Sequence, residues 1–595
     1  MHRRSVFAIA TTIIIVIAIV YWPALHGQFV WDDVHDFVEM PWLTHGDYWK
    51  HYIFKDFNDW TTYFRPLVVG LFTIQVRLFH DTPGPMHAVS LALHLANTIL
   101  VGLLCWHFST TRRDSLKRST VLVASSMLVY GLHPALIESV AWIGCQFDLV
   151  ATMFMVGGLL ANLRIRHALT RATVVATLFF LAACAKESAA SFPLMLIVLN
   201  WALLPREEHE GIGSRLHRLI LQNWKTYLAI LLAGSIYLAF RFWALGELVH
   251  PTNVQSFAPL ARLQEVSFIY LHYWKMLIWP MIGIDPLHEF DDQKFHAISA
   301  SSLLIDITAI SIIGTSAYLA IKRVSPIGCM AVMVTVALLP VLHLAPVTFV
   351  QGLYHERYVM PALAAVCAML PLVRFHIPVQ KTIIARSAIG IAASLWLILA
   401  VTDIRLTVPL WSNGVSLWRW ALATNPNSLD AKSSLLGVYL QSGDYANANK
   451  LADKLMIDHV PCANCMLNVA SLAIAENDPA KAAVALDQVK NSSETAADET
   501  LFRRYLRATG QMLVEQGQLE EAAGLFRAAM QQNPLDPQPQ LSLAAVLAMQ
   551  NKKTEAAAIG ASAITLLPPD QRDQTQETLN RLLNGHQDGN DGRSK

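Results

Sequence analysis

Hydrophobic positions fall in long uncharged blocks along this chain, not in short alternating runs. Runs of spanning length recur from the start to about Val401. They predict helices near 5–25, 84–108, 120–134, 147–165, 170–185, 188–204, 225–245, 299–321, 327–345, 358–373 and 385–404. Residues 264–282 are also apolar enough to cross. They carry Tyr270, His272, Tyr273, Trp274, Lys275 and Trp279, and the acidic stretch Asp285 to Asp292 follows them. Aromatic residues favour the membrane interface, so this segment reads as re-entrant or surface-lying, which leaves about eleven spans.

Beyond Arg405 the pattern becomes alanine-rich and polar. Four turns stand out, at Ser442-Gly443-Asp444, Glu476-Asn477-Asp478, Gln516-Gly517-Gln518 and Gln550-Asn551-Lys552. Each is followed at the same offset by an alanine: Ala448, Ala482, Ala522 and Ala556. The spacings are 34, 40 and 34 residues. A 34-residue period predicts tetratricopeptide repeats, paired helices that stack into a solenoid. The longer middle spacing fits an insertion around Asn491 to Asp498. The expected architecture is all-α: a polytopic helix bundle over 1–410, a repeat solenoid over 411–583 and a disordered tail over 584–595. Solenoids of this kind usually bind polypeptide, which suggests a protein partner.

Composition agrees. Of the 595 residues, 54% are apolar and 15% charged, against about 25% charged in soluble domains. A net charge of +1 argues against nucleic acid as a partner. The first run follows Met1-His2-Arg3-Arg4 and precedes Tyr21-Trp22-Pro23 with no small-x-small cleavage site, so it reads as a retained signal anchor. Basic loops at Thr110–Arg118, Arg164–Arg171, Arg206–Lys225, Lys322-Arg323 and Arg374–Arg386 belong in the cytoplasm with Arg3 and Arg4. The repeats then lie outside. Acids and aromatics collect on that outer side from loop 26–83, the turn from His133 to Asp148, Lys186-Glu187, loop 246–298 and residues 346–357.

Seven cysteines make no disulfide framework at this length. Cys105, Cys184, Cys329 and Cys367 lie in or beside apolar runs and read as small hydrophobes. Cys462-Ala463-Asn464-Cys465 is a lone CxxC that would oxidise outside the cytoplasm. Zinc is not expected there, because no second ligand pair follows.

The chemistry begins with Asp32-Asp33 in Phe29-Val30-Trp31-Asp32-Asp33, just beyond the first span. Adjacent carboxylates raise one another's pKa, so one is held partly protonated beside an ionised partner, as a general base at a membrane surface requires. Arg65, Lys186 and Arg357 are cations on the same side; arginine's planar fork suits phosphate. Lys186-Glu187 reads equally as a structural ion pair. His87, Ser90, His94 and Asn97 form a polar stripe on one apolar helix, which favours a packing network over metal ligation. Soluble-enzyme signatures such as Gly-x-x-x-x-Gly-Lys, Gly-x-Gly-x-x-Gly, His-Glu-x-x-His and Gly-x-Ser-x-Gly are absent.

The chain resembles the GT-C class of membrane glycosyltransferases, in particular the transmembrane-and-tetratricopeptide-repeat O-mannosyltransferases and their bacterial relatives. The resemblance rests on Phe29-Val30-Trp31-Asp32-Asp33, Tyr63-Phe64-Arg65-Pro66-Leu67, His94-Leu95-Ala96-Asn97 and the stretch His133 to Trp142. It continues through Asp148-Leu149, Ala185-Lys186-Glu187, Glu356-Arg357-Tyr358 and the repeats. It implies inverting transfer of a sugar, such as mannose, from a polyprenyl-phosphate carrier on the extracytoplasmic face of a bacterial inner membrane. The implied acceptor is a hydroxyl, preferably on protein serine or threonine. Asp32 or Asp33 would be the general base, and Arg65, Lys186 and Arg357 would bind the donor phosphate. His94, Asn97, His133, Glu138, Asp148, Glu187 and Glu356 would bind sugar or acceptor, and neither metal nor other cofactor is expected. Competing readings are a lipid-linked glycan as acceptor, or a non-enzymatic scaffold that recruits envelope proteins through its repeats. A flippase fits less well, because the charges gather at one surface instead of lining a midplane path.

Overall fold

The structure, a computed structural model, describes residues 3–39, 53–54, 63–80, 82–207, 210–246, 248, 259–289, 295, 299–344, 352–373, 382–458, 460–534, 536–567 and 569–584. These residues are mostly helical, with no strand among them. By their contacts they form two units: residues up to Asp36 and those from 53 to Asn413 make one, and residues 37–39 group with those from Gly414 onward in the other. Asp291, Asp292, Arg374 and the tail beyond Asn584 lie outside the described residues.

The first unit is a bundle. Its helices are α1 (Arg3–Tyr21), α2 (Pro66–Phe79), α3 (Pro83–Thr111), α4 (Leu116–Gly131), α5 (Gln146–Arg164), α6 (Ala168–Ala185) and α7 (Phe192–Leu203). They continue with α8 (Ile212–Leu245), α9 (Pro259–Ile278), α10 (Ala300–Ile321), α11 (Pro326–Leu338), α12 (Met360–Met369) and α13 (Thr382–Thr407). Among the described residues, seven segments are long and apolar enough to cross a membrane, or eight if Leu116–Gly131 and Pro134–Ala141, bent by 52°, count as one. The expected spans at 188–204, 327–345 and 358–373 are shorter apolar helices here.

Local chemistry sets the helix ends. Proline occupies the first turn of α2, α3 and α11, where its missing N–H is not needed. Ser115 caps α4 by accepting from the Arg118 N–H. Ser299 and Ser302 form a reciprocal capping box on α10. Two differences from the sequence reading stand out. Helix α8 starts at Ile212 and not at 225. Helix α2, with Val68, Val69 and Phe72 fully buried, lies in what was expected to be loop. At 14 residues α2 is too short to register as a span.

The second unit is the solenoid. It runs from α14 (Gly414–Thr424) through α15 (Leu429–Gln441), α16 (Tyr445–Ile457), α17 (Ala463–Ala475), α18 (Pro479–Lys490) and α19 (Glu499–Glu515). It ends with α20 (Leu519–Gln532), α21 (Pro537–Met549), α22 (Lys553–Leu566) and α23 (Pro569–Asn584). All four marked turns have a left-handed residue: Gly443 at φ 70°, Asn477 at 57°, Gly517 at 77° and Asn551 at 63°. In each, the next N–H bonds back to a carbonyl five residues earlier. The pairs are Asp444 to Tyr439, Asp478 to Ala473, Gln518 to Leu513 and Lys552 to Leu547, the Schellman closure of a helix end. Ala448, Ala482, Ala522 and Ala556 are fully buried, so the following helix packs tightly on the one before. The expected insertion is a short helix, Ser493–Ala497. Cys462 and Cys465 are joined as a disulfide at the start of α17.

Phe526 on α20 is buried against Gly510 on α19, where an added Cβ would stand 2.8 Å from its ring. Phe526→Ala removes that filling and is expected to cost about 3–5 kcal/mol. Limited proteolysis of the full-length protein across a denaturant series should show cleavage between 500 and 566 at lower denaturant than in wild type.

Candidate functional site

Residues far apart in the sequence of the bundle unit meet in one network of charges. Lys186 follows α6 in an extended conformation, φ −160° and ψ 143°, so it and Glu187 face opposite ways. The Lys186 Nζ donates to both carboxylate oxygens of Asp148, on the first turn of α5, at 2.6 Å. Glu187 instead accepts from Arg65 Nε at 3.0 Å and Nη2 at 2.8 Å, with Arg241 of α8 at 3.5 Å. The structure therefore contains neither a Lys186–Glu187 pair nor three unpaired phosphate cations; each cation already has a carboxylate.

Arg357 is the centre. Its Nη1 donates to Glu138, its backbone N–H donates to the other Glu138 oxygen at 3.2 Å, and its Nε lies 3.7 Å from Asp148. His355 stands 3.7 Å from Glu138. Glu356 points elsewhere and pairs with His288 at 2.7 Å; burial disfavours the His288 cation, but the Glu356 carboxylate outweighs it and raises the imidazole pKa. Aromatic faces line the cations. Lys186 Nζ is 4.6 Å from the Tyr358 ring centre, and Arg65 is 3.8 Å from that of Tyr63. The Arg357 guanidinium is 4.9 Å from the Tyr358 ring centre and 5.1 Å from that of Trp142. Such contacts favour a cation that has been desolvated.

The acidic pair adjoins this network. Asp33 is fully buried, and its Oδ1 accepts from the Gly144 N–H at 2.9 Å. Burial, then the charge of Asp36, pushes its carboxyl well above the usual range. Asp32 is exposed, yet protein surrounds it closely enough to push its pKa up to about 7, with Asp36 adding to the rise and His35 and Arg357 opposing it. The two carboxyls thus differ in setting: Asp33 is buried, anchored and pushed toward its neutral form, whereas Asp32 is reachable, with its pKa raised to about 7.

Three of the expected sugar or acceptor residues have other partners. His94 Nε2 meets the Gly131 carbonyl at 3.0 Å and Asn97 donates to the Leu149 carbonyl at 2.9 Å, tying α3 to α4 and α5. Ser90, on the same stripe, accepts from Gln146 at 3.1 Å. His133 is buried with its ring centre 5.7 Å from that of Trp396. Among the described residues, none of these three bonds to the ion-pair network. Glu138, Asp148, Glu187, Arg65, Lys186 and Arg357 are brought together, with Asp32 close enough for the charge of Arg357 to act on it. Sequence reasoning missed Trp142, Tyr358, Arg241 and His288. Arg241 carried a signal, since it is a lone charge in the apolar run of α8. Among the described residues, no three His, Cys, Asp or Glu side chains are grouped to hold a metal ion.

An apolar groove of about 410 Å³ opens between α6, α7 and α8, lined by Phe179, Pro193, Ile197, Tyr227, Ile230 and Leu238 among others. Leu238 lies one helical turn before Arg241, which does not itself line the groove.

Residues 500–571 match the family model described as "Tetratricopeptide repeat". No curated protein matches the chain.

The Lys186–Asp148 pair is almost wholly buried. Lys186→Met strands a carboxylate and is expected to lower stability by about 3 kcal/mol or more. Adding Asp148→Leu should recover at least half of that loss. Thermal unfolding of the full-length protein in detergent measures these and Asp148→Leu alone; a double-variant loss equal to the sum of the two single losses would show that the two residues are not coupled.

Proposed function

We propose that this protein is a membrane glycosyltransferase of GT-C type that moves a sugar from a polyprenyl-phosphate carrier to a hydroxyl acceptor on the extracytoplasmic face. The observation that carries the reading is the reachable carboxylate of Asp32, titrating near 7, beside the Arg357 centre of a buried cation network. In this reading Asp32 removes the acceptor hydroxyl proton as the oxygen attacks the anomeric carbon. The bond from that carbon to the phosphate oxygen breaks, and the polyprenyl phosphate leaves with the bonding electrons. A base with a pKa near the working pH combines availability with driving force. Asp33 keeps the loop in place through the Gly144 N–H.

Arg357, Lys186 and Arg65 offset the charge on the departing phosphate, exchanging part of their carboxylate contacts for phosphate oxygens. The apolar groove between α6, α7 and α8 suits a prenyl chain. The basic loops then face the cytoplasm and the repeats lie outside, where they favour a protein acceptor. The repeat match also supports the scaffold alternative, in which recruitment through the solenoid is the whole function.

The deciding experiment is glycopeptide mass spectrometry on envelope proteins from cells lacking the gene and complemented with wild type, Asp32→Asn or Asp33→Asn at matched expression. A hexose-sized mass on serine or threonine is expected with wild type, falling about 10²-fold or more with Asp32→Asn. Unchanged patterns in all strains, with function lost only on deleting 415–595, would favour the scaffold.

The pH dependence has a definite sign. Folding raises the Asp32 pKa from 3.8 to about 7, so the folded state binds more protons across that window. The contribution of Asp32 to stability therefore falls as pH rises from about 4 to 7, while transfer rises through pH 7 as the base ionises. Initial rates on a synthetic polyprenyl-phosphate hexose between pH 5 and 9 should rise with a midpoint near 7 in wild type.

A further inference from the structure

Trp31, directly before the acidic pair, has φ 57° and ψ −128°. A bulky side chain rarely adopts a positive φ, and a residue kept there must be held by its surroundings. What holds Trp31 is a group of three indoles. Its ring stacks on Trp142 at 5.1 Å between centres and 15° between planes. Trp411 lies 6.3 Å from both, at 14° and 19°. Stacked aromatic pairs stabilise beyond the area that they bury, which offsets the strain of the backbone at Trp31.

The same stack reaches the ion-pair network, because the Arg357 guanidinium lies over Trp142. Gly144 makes the arrangement possible. A Cβ there would stand 2.9 Å from the Trp142 ring, and its N–H is the donor to Asp33. The backbone leaving Trp31 is pinned at once, since the Val34 N–H bonds to the Trp31 carbonyl at 3.2 Å and the Asp33 N–H to that of Val30 at 3.1 Å.

We propose that Trp31 is a positioning residue: its indole, stacked with Trp142 and Trp411, locks a glycine-like backbone turn and so fixes Asp33 on the Gly144 N–H and Asp32 next to it. The inference rests on reading Asp32 and Asp33 as the reactive carboxyls. A residue that merely filled the core would be replaced by alanine and glycine with similar loss. A clamp on a strained turn orders the variants differently. Phenylalanine keeps a stacking ring. Glycine loses the ring but accepts the backbone angles at no steric cost. Alanine loses the ring and keeps the steric penalty.

The test uses full-length protein in detergent, as wild type and as Trp31→Phe, Trp31→Gly and Trp31→Ala. An apolar carbodiimide, which adds to protonated carboxyls, is applied across pH 5 to 8, and the peptide carrying Asp32 and Asp33 is quantified by mass spectrometry. The groups that bias this titration are Asp36, His35 and Arg357 around Asp32, with Asp36, Asp32 and the Gly144 N–H around Asp33. The expected labelling midpoint stays near that of wild type in Trp31→Phe. It falls by about one pH unit in Trp31→Gly and further in Trp31→Ala, and labelling at pH 7 drops about fivefold or more in the alanine variant.

Midpoints unchanged in glycine and alanine, or alanine equal to or better than glycine, would overturn the proposal. If Trp31→Ala does not fold, the glycine-to-phenylalanine difference decides by the same criterion. Sugar transfer is measured in parallel on the same preparations. The predicted labelling order without transfer by wild type leaves the clamp standing and removes the glycosyltransferase reading. Transfer by wild type with flat labelling across the variants does the reverse.

Discussion

Burying ionised side chains is the constraint on which the bundle is organised. Each ion removed from water carries a penalty of several kcal/mol, offset only by close opposite charge and satisfied hydrogen bonds. Here Arg65, Asp148, Lys186, Glu187, Arg241 and Arg357 come from separate stretches of the chain and complete one another's pairing. The pairs form two groups, Arg357 with Glu138 and Asp148, which also takes Lys186, and Glu187 with Arg65 and Arg241; the adjacent Lys186 and Glu187 join them through the backbone. The ends of α5 and α6, the start of α2 and the last turns of α8 are therefore tied to one locus. That arrangement is difficult to move piecemeal and gives the unit a fixed end at which chemistry can be placed.

The acidic pair works by a related logic with the opposite outcome. Carboxyls without a close cation are driven toward the neutral form when surrounded by protein. Asp33 lies buried with only backbone hydrogen bonds, from Gly144 and Val30, to favour its charge and is pushed well up; Asp32, exposed and within the influence of Arg357, is raised to about 7. Two chemically identical neighbours thus acquire different roles from a one-residue difference in placement. The difference depends on the turn at Trp31, since a changed φ there would rotate both side chains together.

Much of the architecture was legible in the sequence, for physical reasons that differ between the units. The repeat turns could be read because each demands a residue tolerant of positive φ, and Gly443, Asn477, Gly517 and Asn551 all meet that demand. The buried alanines at fixed offset are their packing counterpart. Apolar runs announced the longer helices. Helix α2 was hidden because 14 residues fall below spanning length, and the start of α8 was hidden because its polar first turns resemble a loop. Within the site, residue identities were legible but pairings were not. Lys186 and Glu187 are adjacent, and only the extended backbone at Lys186 reveals that they serve different partners. His94 and Asn97 illustrate the reverse. Their helical spacing marked one shared face, but whether that face met helices or a substrate depended on the carbonyls of Gly131 and Leu149.

A fully paired network changes what binding an anion would require. On the proposed reading, a phosphate approaching Arg357 meets Glu138 and Asp148 already in place, and two carboxylates repel it. Attraction then depends on the cations turning between partners instead of waiting unpaired. Arg357 is suited to this, because its planar fork carries five donors and Asp148 lies at 3.7 Å, beyond hydrogen-bonding distance. Lys186 can swing on its flexible stem while Tyr358 remains against its ammonium. The carboxylates would therefore act as place-holders that keep the buried cations charged and oriented when no anion is present, at the cost of competing with it when it arrives. Affinity for the phosphate would be modest, and the apolar groove between α6, α7 and α8 would have to supply much of the attraction through the lipid chain.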